Sequence, residues 1–335
     1  MTTLKPTIRD LVARVLSQGG LTKASRRHYG RLMIVTFHRV LPKEYRDRYH
    51  TPGMVITPEE LDWTVGYLKE RYTIGRLDDV HTRHEAGERP EKPFLALTFD
   101  DGYADNFTYG LPILERHHVR ACFFLTAAYI DRGRSPWYDR IGFALNPAPR
   151  RTDAERALLA RYGLAEYASA PVERVLEGVK ELTPQRRQTL SEVISRGDVP
   201  DWARMMTRDE ILELHQRGHE IGSHTMTHPI LSACSRSDID WELQGSKNLI
   251  QKILGTEITS LAYPNGDQNE AVLNAVEAAG YLRAVTTRWG SNMRGYAPYL
   301  LRRCEIDPRR MREQAGTLSE PNLALRLSGF HPGLR

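Results

Sequence analysis

The sequence predicts a parallel α/β barrel interrupted by a helical insertion, and three observations carry that prediction. Short apolar runs alternate with helical patterns along most of the chain, as in βαβ units around a parallel sheet. The residues with chemical potential fall directly after those runs, where parallel barrels assemble their sites. The alternation stops between residues 136 and 202, a stretch of Arg, Glu, Leu and Ala at helical spacing with no strand-like run. A chain of 335 residues suits such a barrel with insertions.

Residues 1–31 form a basic arm. Seven basic residues there face only Asp10, so the net charge of +5 belongs to the arm and the remainder is close to neutral. Ile8, Leu11, Val12, Val15 and Leu16 recur at helical spacing, with Arg9 and Arg14 opposite. Such a helix either packs on the body or touches an anionic membrane surface. A nucleic-acid partner is not expected, because no basic groove with interleaved aromatics and no reading motif is present.

The barrel is expected over residues 32–310. A first strand at 32–37 ends at His38. A helix from 58 to about 70 follows, with Pro58 at its first position and Thr57 as N-cap. The apolar run 94–99 is a buried strand delivering Asp100 and Asp101. Asp105 or Asn106 is placed to cap the next helix, to about 117, and 121–125 is the third strand. The insertion spans residues 136–205. Thr207 and Glu210 form a capping box for the helix after it. Strand 220–223 ends at His224; helix 237–254 stops at Gly255. Strand 261–263, helix 270–279, and strands 281–286 and 300–306 complete the barrel, and residues 311–335 are a tail.

Composition excludes several classes. No apolar run approaches the roughly 20 residues of a membrane span. The N-terminal stretch is charged and lacks the apolar segment of a signal peptide, so a cytoplasmic location is expected, with peripheral membrane contact through the arm. Cys122, Cys234 and Cys304 are too few and scattered for a disulfide framework or a thiolate metal cage.

Two segments carry the chemistry. His224-Thr225-Met226-Thr227-His228 offers two imidazoles at i and i+4, which one helical turn would place on the same face, within reach of one ion. Thr98-Phe99-Asp100-Asp101-Gly102-Tyr103 offers adjacent carboxylates after a strand. Neighbouring side chains leaving a strand diverge, so one carboxylate can bind metal while the other moves a proton. Three protein ligands plus an open position is the catalytic arrangement of zinc.

With these two segments at strand ends, the chain resembles the polysaccharide deacetylase family, the NodB homology domain of carbohydrate esterase family 4, over about residues 33–306. The resemblance implies a distorted (β/α) barrel of seven or eight strands and a metal-dependent hydrolase that removes N-acetyl groups from an amino sugar. It implies Asp100 as general base and Asp101, His224 and His228 as ligands of a divalent metal, expected to be Zn²⁺, although this donor set also accepts Fe²⁺, Co²⁺ or Ni²⁺. Leu261-Ala262-Tyr263-Pro264-Asn265-Gly266 looks like the third family motif, with the Asn265 backbone N–H as oxyanion donor. Ala262 stands where many members carry an Arg that orients the base, and Arg303 is the candidate substitute. Residues 300–307 lack the histidine that usually acts as general acid. His38 is its candidate replacement, since a subgroup of the family carries a similar His-Arg-Val segment after the first strand. Tyr103, Trp137, Tyr263 and Trp289 are candidate substrate contacts, and Tyr138 and Asp139, which follow the third strand with Trp137, are also placed to line the sugar site. The expected partner is an N-acetylated glycan. Two other uses remain compatible: a carbohydrate-binding relative without turnover, and a hydrolase of another small-molecule C–N bond.

Overall fold

The computed structural model describes residues 6–131, 135–146, 151–194 and 199–330. Residues 1–5 of the expected arm and 331–335 of the expected tail lie outside the described residues, as do two short stretches of the insertion. The strands are β1 (Arg31–Phe37), β2 (Arg39–Val40), β3 (Val55–Ile56), β4 (Thr73–Gly75), β5 (Phe94–Phe99), β6 (Cys122–Leu125), β7 (Glu220–Ser223), β8 (Ser260–Ala262), β9 (Arg283–Trp289), β10 (Asn292–Met293) and β11 (Leu301–Glu305). Seven of them close a parallel barrel in the order β1-β11-β9-β8-β7-β6-β5, with β5 returning to β1. The short β2 and β3 pair with each other above the barrel.

The pleat decides what the barrel contains. β1 and β5 run in step from Leu32↔Phe94 to Phe37↔Phe99. Leu32, Ile34, Phe94 and Ala96 point into the barrel, whereas Met33, Val35, Phe37, Leu95, Leu97 and Phe99 pack outward against the helices. Side chains alternate with period two, so the inward series continues through Thr36 to His38 on one strand and through Thr98 to Asp100 on the other. On β11 the same count runs from Leu301, in the interior core, to Arg303 and Glu305. All three strand ends therefore aim polar groups into the barrel mouth.

Helix starts follow local chemistry where the sequence announced it. Thr57 with Glu60 and Thr207 with Glu210 form capping boxes, each satisfying two otherwise orphaned N–H groups. Gly255 ends its helix at φ 71, and Asn269 caps the helix Glu270–Ala278. Two helices differ from expectation. The helix expected to start at Asp105 or Asn106 begins as a π-helical turn, Asn106–Gly110, before Leu111–Arg116, and Asp105 caps nothing because Arg39 takes its carboxylate. The expected 237–254 helix is capped by Ser235 and contains a second π-helical turn, Trp241–Gly245.

Four helices, Trp137–Leu145, Asp153–Arg161, Val172–Lys180 and Pro184–Ile194, make up the stretch after β6 and share a small core around Ile141, Leu159, Val175 and Leu190. Elements without a periodicity long enough to read also appear. β4 and the helix Leu77–Glu85 close the lower end of the barrel, with Leu77 and Val80 in its interior core. A C-terminal helix, Glu320–Ser328, packs on the N-terminal helix Pro6–Gln18. Asn322 and the Gln314 N–H both donate to Asp10, at 2.9 and 2.8 Å. The other face of the N-terminal helix leaves Ile8, Leu11 and Val15 exposed at 49%, 64% and 58%. No helix among the described residues is long and apolar enough to cross a membrane.

Candidate active site

Asp100 is the last inward group above β5 and is buried. Arg303 grips it from across the barrel, Nη1 donating to Oδ1 at 2.7 Å and Nη2 to Oδ2 at 2.8 Å. The guanidinium is itself fixed by the Thr286 carbonyl and the Thr36 and Thr98 hydroxyls at 3.0 to 3.3 Å. Burial pushes the Asp100 carboxyl up, but the charges of Arg303, His224 and His38 and the Arg303 hydrogen bonds outweigh it, holding the group well below the usual carboxylate range. Asp100 is therefore an ionised acceptor held in one orientation.

Asp101 departs from the strand with φ 77, followed by Gly102 at φ 89. A side chain at position 102 would meet Leu125 at 3.0 Å as well as an unfavourable backbone, so glycine is required there. The turn swings the Asp101 carboxylate away from Arg303 and toward two imidazoles. Asp101 Oδ1 lies 3.6 Å from Nε2 of both His224 and His228, and three donor atoms of this trio lie within 4.8 Å of one another. Burial raises the Asp101 carboxyl above its ordinary value.

The two histidines do not lie on a helical turn. Residues 224–228 form a loop after β7, with Thr225 at φ 67 and His228 at φ 60. Glu242 shapes that loop, accepting from the N–H groups of Met226 and Thr227 at 2.7 and 2.8 Å and from the Thr227 hydroxyl. His224 Nδ1 donates to the Ala262 carbonyl at 2.8 Å, which leaves Nε2 as the lone-pair nitrogen aimed at Asp101. Burial drives the His228 ring well below its ordinary value, keeping it neutral, the form that binds metal. Two imidazoles and one carboxylate converging in a buried pocket fit a divalent metal of the catalytic type.

A cavity of about 380 Å³ opens above these groups. His38, Asp100, Asp101, His224, His228, Tyr263, Asn265 and Arg303 line it from the barrel, and Trp137, Tyr138, Leu176 and Lys180 line it from the helices after β6. Asn265 has φ 59, and its side-chain oxygen accepts from Lys180 Nζ at 3.0 Å, tying those helices to the loop after β8. A larger cavity of about 920 Å³ lies behind Trp137 and holds none of the paired carboxylates or imidazoles described above.

Two expected substrate contacts are corrected. Tyr103 is fully buried, its hydroxyl spent on Asp139 Oδ2 at 3.0 Å and its ring under the Arg39 guanidinium, so it does not reach the cavity. Trp289 turns outward: its indole N–H meets Cys304 Sγ at 3.0 Å, and its ring lies against Gly329 beyond the C-terminal helix. Counting by twos from the inward-facing Val285 would aim Trp289 into the barrel, but the pairing of β9 with β11 shifts register between Val285 and Trp289. Asp139 is likewise a buried acceptor, for Tyr49, His50 and Tyr103, rather than a cavity group. Trp137 and Tyr263 do line the cavity, although the Tyr263 hydroxyl already donates to the Tyr299 carbonyl at 3.1 Å. Tyr138, expected with Trp137 and Asp139 to line the sugar site, does line the cavity, whereas Glu242 and Lys180 were not singled out. The two-residue alternation from Leu301 would have aimed Arg303 inward; nothing local signals Glu242 or Lys180.

A parallel barrel with paired carboxylates and two histidines at its mouth defines a class of hydrolase-like barrels, and comparison with known proteins places the chain within it. The polysaccharide deacetylase family model matches residues 87–284, more than half of the chain, which belongs to that family. Among individual proteins, YxkH of Bacillus subtilis (strain 168) is 22% identical over 221 residues, covering 66% of this chain and 54% of the relative. The chain thus spans about half the length of that curated relative. Among solved structures, the deacetylase PplD of Streptococcus pyogenes, in complex with acetate, superposes with a TM-score of 0.58 at 20% identity, covering 88% of this chain and 96% of that one. IcaB from Ammonifex degensii superposes at 0.57 with 15% identity, covering 83% and 93%. These likenesses show the same fold.

Proposed function

We propose that the protein is a metal-dependent N-deacetylase acting on an N-acetylated amino sugar of a polysaccharide, an oligosaccharide or a glycolipid precursor. The observation that carries the reading is the division of the Asp100-Asp101 pair: one carboxylate gripped by Arg303, the other beside two imidazoles, in one cavity. Asp101, His224 and His228 would hold the divalent ion, Zn²⁺ or another ion this donor set accepts, such as Fe²⁺, Co²⁺ or Ni²⁺. When bound, such an ion supplies Lewis acidity and a water of lowered pKa.

The chain's own groups would carry the remaining steps. Asp100, ionised and oriented by Arg303, takes a proton from the attacking water. Water adds to the acetamide carbonyl, and the Asn265 N–H faces the developing oxyanion. His38, which lines the cavity and shares its field with both carboxylates, gives a proton to the departing sugar amine. The C–N bond breaks, leaving acetate and a free amine. Trp137 and Tyr263 flank the sugar.

Acetate release across a panel of N-acetyl glycans, with metal-reconstituted protein, tests the reading. Asp100→Asn should cut release by about 10²- to 10⁴-fold, the usual range for losing a positioned base, while metal content stays unchanged. His224→Ala should lose both metal and activity. Glycan binding without release would favour a binding protein, and turnover of a cyclic amide instead would favour the other C–N hydrolase. Full activity in Asp100→Asn would sink the assignment.

We further infer that the arm touches an anionic membrane, on the support of the exposed Ile8, Leu11 and Val15 beside the exposed Arg14. Replacing those three apolar residues with Ser should abolish co-sedimentation with anionic vesicles while leaving acetate release unaltered. Three cysteines without disulfides support a reducing compartment as the working location.

A further inference from the structure

We propose that Tyr138 is a positioning residue of the metal centre: its hydroxyl donates to the Asp101 carboxylate and holds the ligand oxygen between His224 and His228. The inference rests on the metal-site reading above and adds to it a residue from outside the barrel.

Tyr138 stands in the first turn of Trp137–Leu145, the first helix of the insertion. Its ring lies edge-on to His228, centroids 5.1 Å apart at 64°, and it lines the catalytic cavity. The hydroxyl oxygen is buried and has no hydrogen-bond partner at ordinary distance among the described residues. A buried phenol almost always finds an acceptor, so an orphan hydroxyl beside a candidate metal site calls for one.

Two carboxylates are close enough to act on Tyr138, Asp101 and its own neighbour Asp139. Asp139 is already engaged on both oxygens. Its Oδ1 accepts from Tyr49 at 2.8 Å and meets His50 Nε2 at 2.8 Å, and its Oδ2 accepts from Tyr103 at 3.0 Å. Asp101 is the acceptor left: it lines the same cavity, and its Oδ1 lies 3.6 Å from Nε2 of His228, the ring that Tyr138 covers. Occlusion of the hydroxyl also argues against direct contact with a sugar.

The rest of the insertion braces the same point. Trp137 Nε1 and Arg187 Nη1 both donate to the His228 carbonyl, at 3.4 and 3.5 Å. One ligand is therefore held through its backbone by two insertion residues and covered on its ring by a third. Donors behind metal ligands fix ligand orientation, and losing one typically costs 10- to 100-fold in metal affinity.

Tyr138→Phe removes the hydroxyl and keeps the ring against His228. Competition with a chromophoric chelator should give a zinc Kd about 10- to 100-fold weaker than that of the unmodified chain. The visible bands of the Co²⁺-loaded protein should shift, and the thermal midpoint of the chelator-treated protein should stay the same. Tyr103→Phe, which removes a neighbouring buried hydroxyl from the Asp139 cluster, should leave zinc Kd and Co²⁺ bands unchanged. A ring-carbon NMR signal of Tyr138 that moves on zinc addition to the unmodified protein supports the contact without any substitution. Unaltered zinc affinity and Co²⁺ bands in Tyr138→Phe would overturn the proposal, as would an equal loss in Tyr103→Phe. Failure of the underlying metal-site reading looks different: His224→Ala would then bind zinc as tightly as the unmodified chain.

Discussion

The Asp100–Arg303 and Asp105–Arg39 pairs are chemically alike, yet only the first lines the catalytic cavity. Both carboxylates leave the same stretch of chain after β5, both face a buried guanidinium, and both make contacts of 2.7 to 2.9 Å. Arg303 spreads two nitrogens over two oxygens and leaves Asp100 facing the cavity. Arg39 places two nitrogens on Asp105 Oδ2, while Oδ1 accepts from the Val40 N–H and from Asn106. Tyr103 and Tyr49 then cover the Arg39 guanidinium at 3.9 and 4.5 Å. At Asp105 burial wins and the carboxyl rises; at Asp100 the surrounding positive charge wins and it falls. Sealing turns an ion pair into a fastener for the loop after β1, whereas leaving one face open keeps a carboxylate ready to accept a proton.

Substitutions at the two arginines should separate these roles. Arg303→Met is expected to have the largest effect. It strands a buried carboxylate, costing about 3–5 kcal/mol, and it also unfixes the base, so acetate release per folded molecule should fall toward the level of Asp100→Asn. Arg39→Met should cost a similar 3–5 kcal/mol in urea unfolding but leave release per folded molecule within a few-fold of normal. Equal losses of activity in both variants would break the distinction.

The lower end of the barrel offers a third contrast, because burial dominates at its histidines, even at His219 with Glu115 Oε1 3.7 Å from its Nε2. Burial, with nearby arginines, pushes His28, His81 and His219 down to about 4. A histidine with a depressed folded value costs nothing above the unfolded value near 6.5 and destabilises the fold as pH falls from there to about 4. Each should remove about 3 kcal/mol over that window. Urea midpoints measured from pH 7 to pH 4 should fall steeply, and His219→Gln should flatten part of the fall. Asp100, held below the ordinary carboxylate range, keeps its charge throughout this window, so acid loss of activity there would follow unfolding or another group. The smallest effect is expected from Thr36→Val, which removes one hydrogen bond behind Arg303 and should cost about 1 kcal/mol with little change in activity.

Particular residues mark how far the sequence could be read. Thr57, Thr207 and Gly255 announced helix ends through local hydrogen bonding and backbone freedom, and the structure follows them. Strands β1 and β5 were legible because continuous apolar runs between polar residues have one stable use in a parallel sheet. The helical turn expected for His224 to His228 was wrong: periodicity alone could not reveal two residues at positive φ, which the Glu242 carboxylate, from a later helix, supports. Tyr103 and Trp289 were misplaced for a related reason, since an aromatic in a motif packs equally well into a sealed network or against a distant helix.

By itself the sequence determined the strand alternation, the capping, the charged arm and the pairing of two carboxylates with two histidines, because each is a matter of spacing along the chain. The tertiary structure decided which arginine meets which aspartate, which aromatics reach the cavity, and that the insertion forms one wall of the site. Those outcomes depend on barrel closure, which brings Thr36, Thr98, Asp100 and Arg303 together across as many as 267 positions of sequence. No local rule carries over that separation. Only the register of β1, β5 and β11 fixes it.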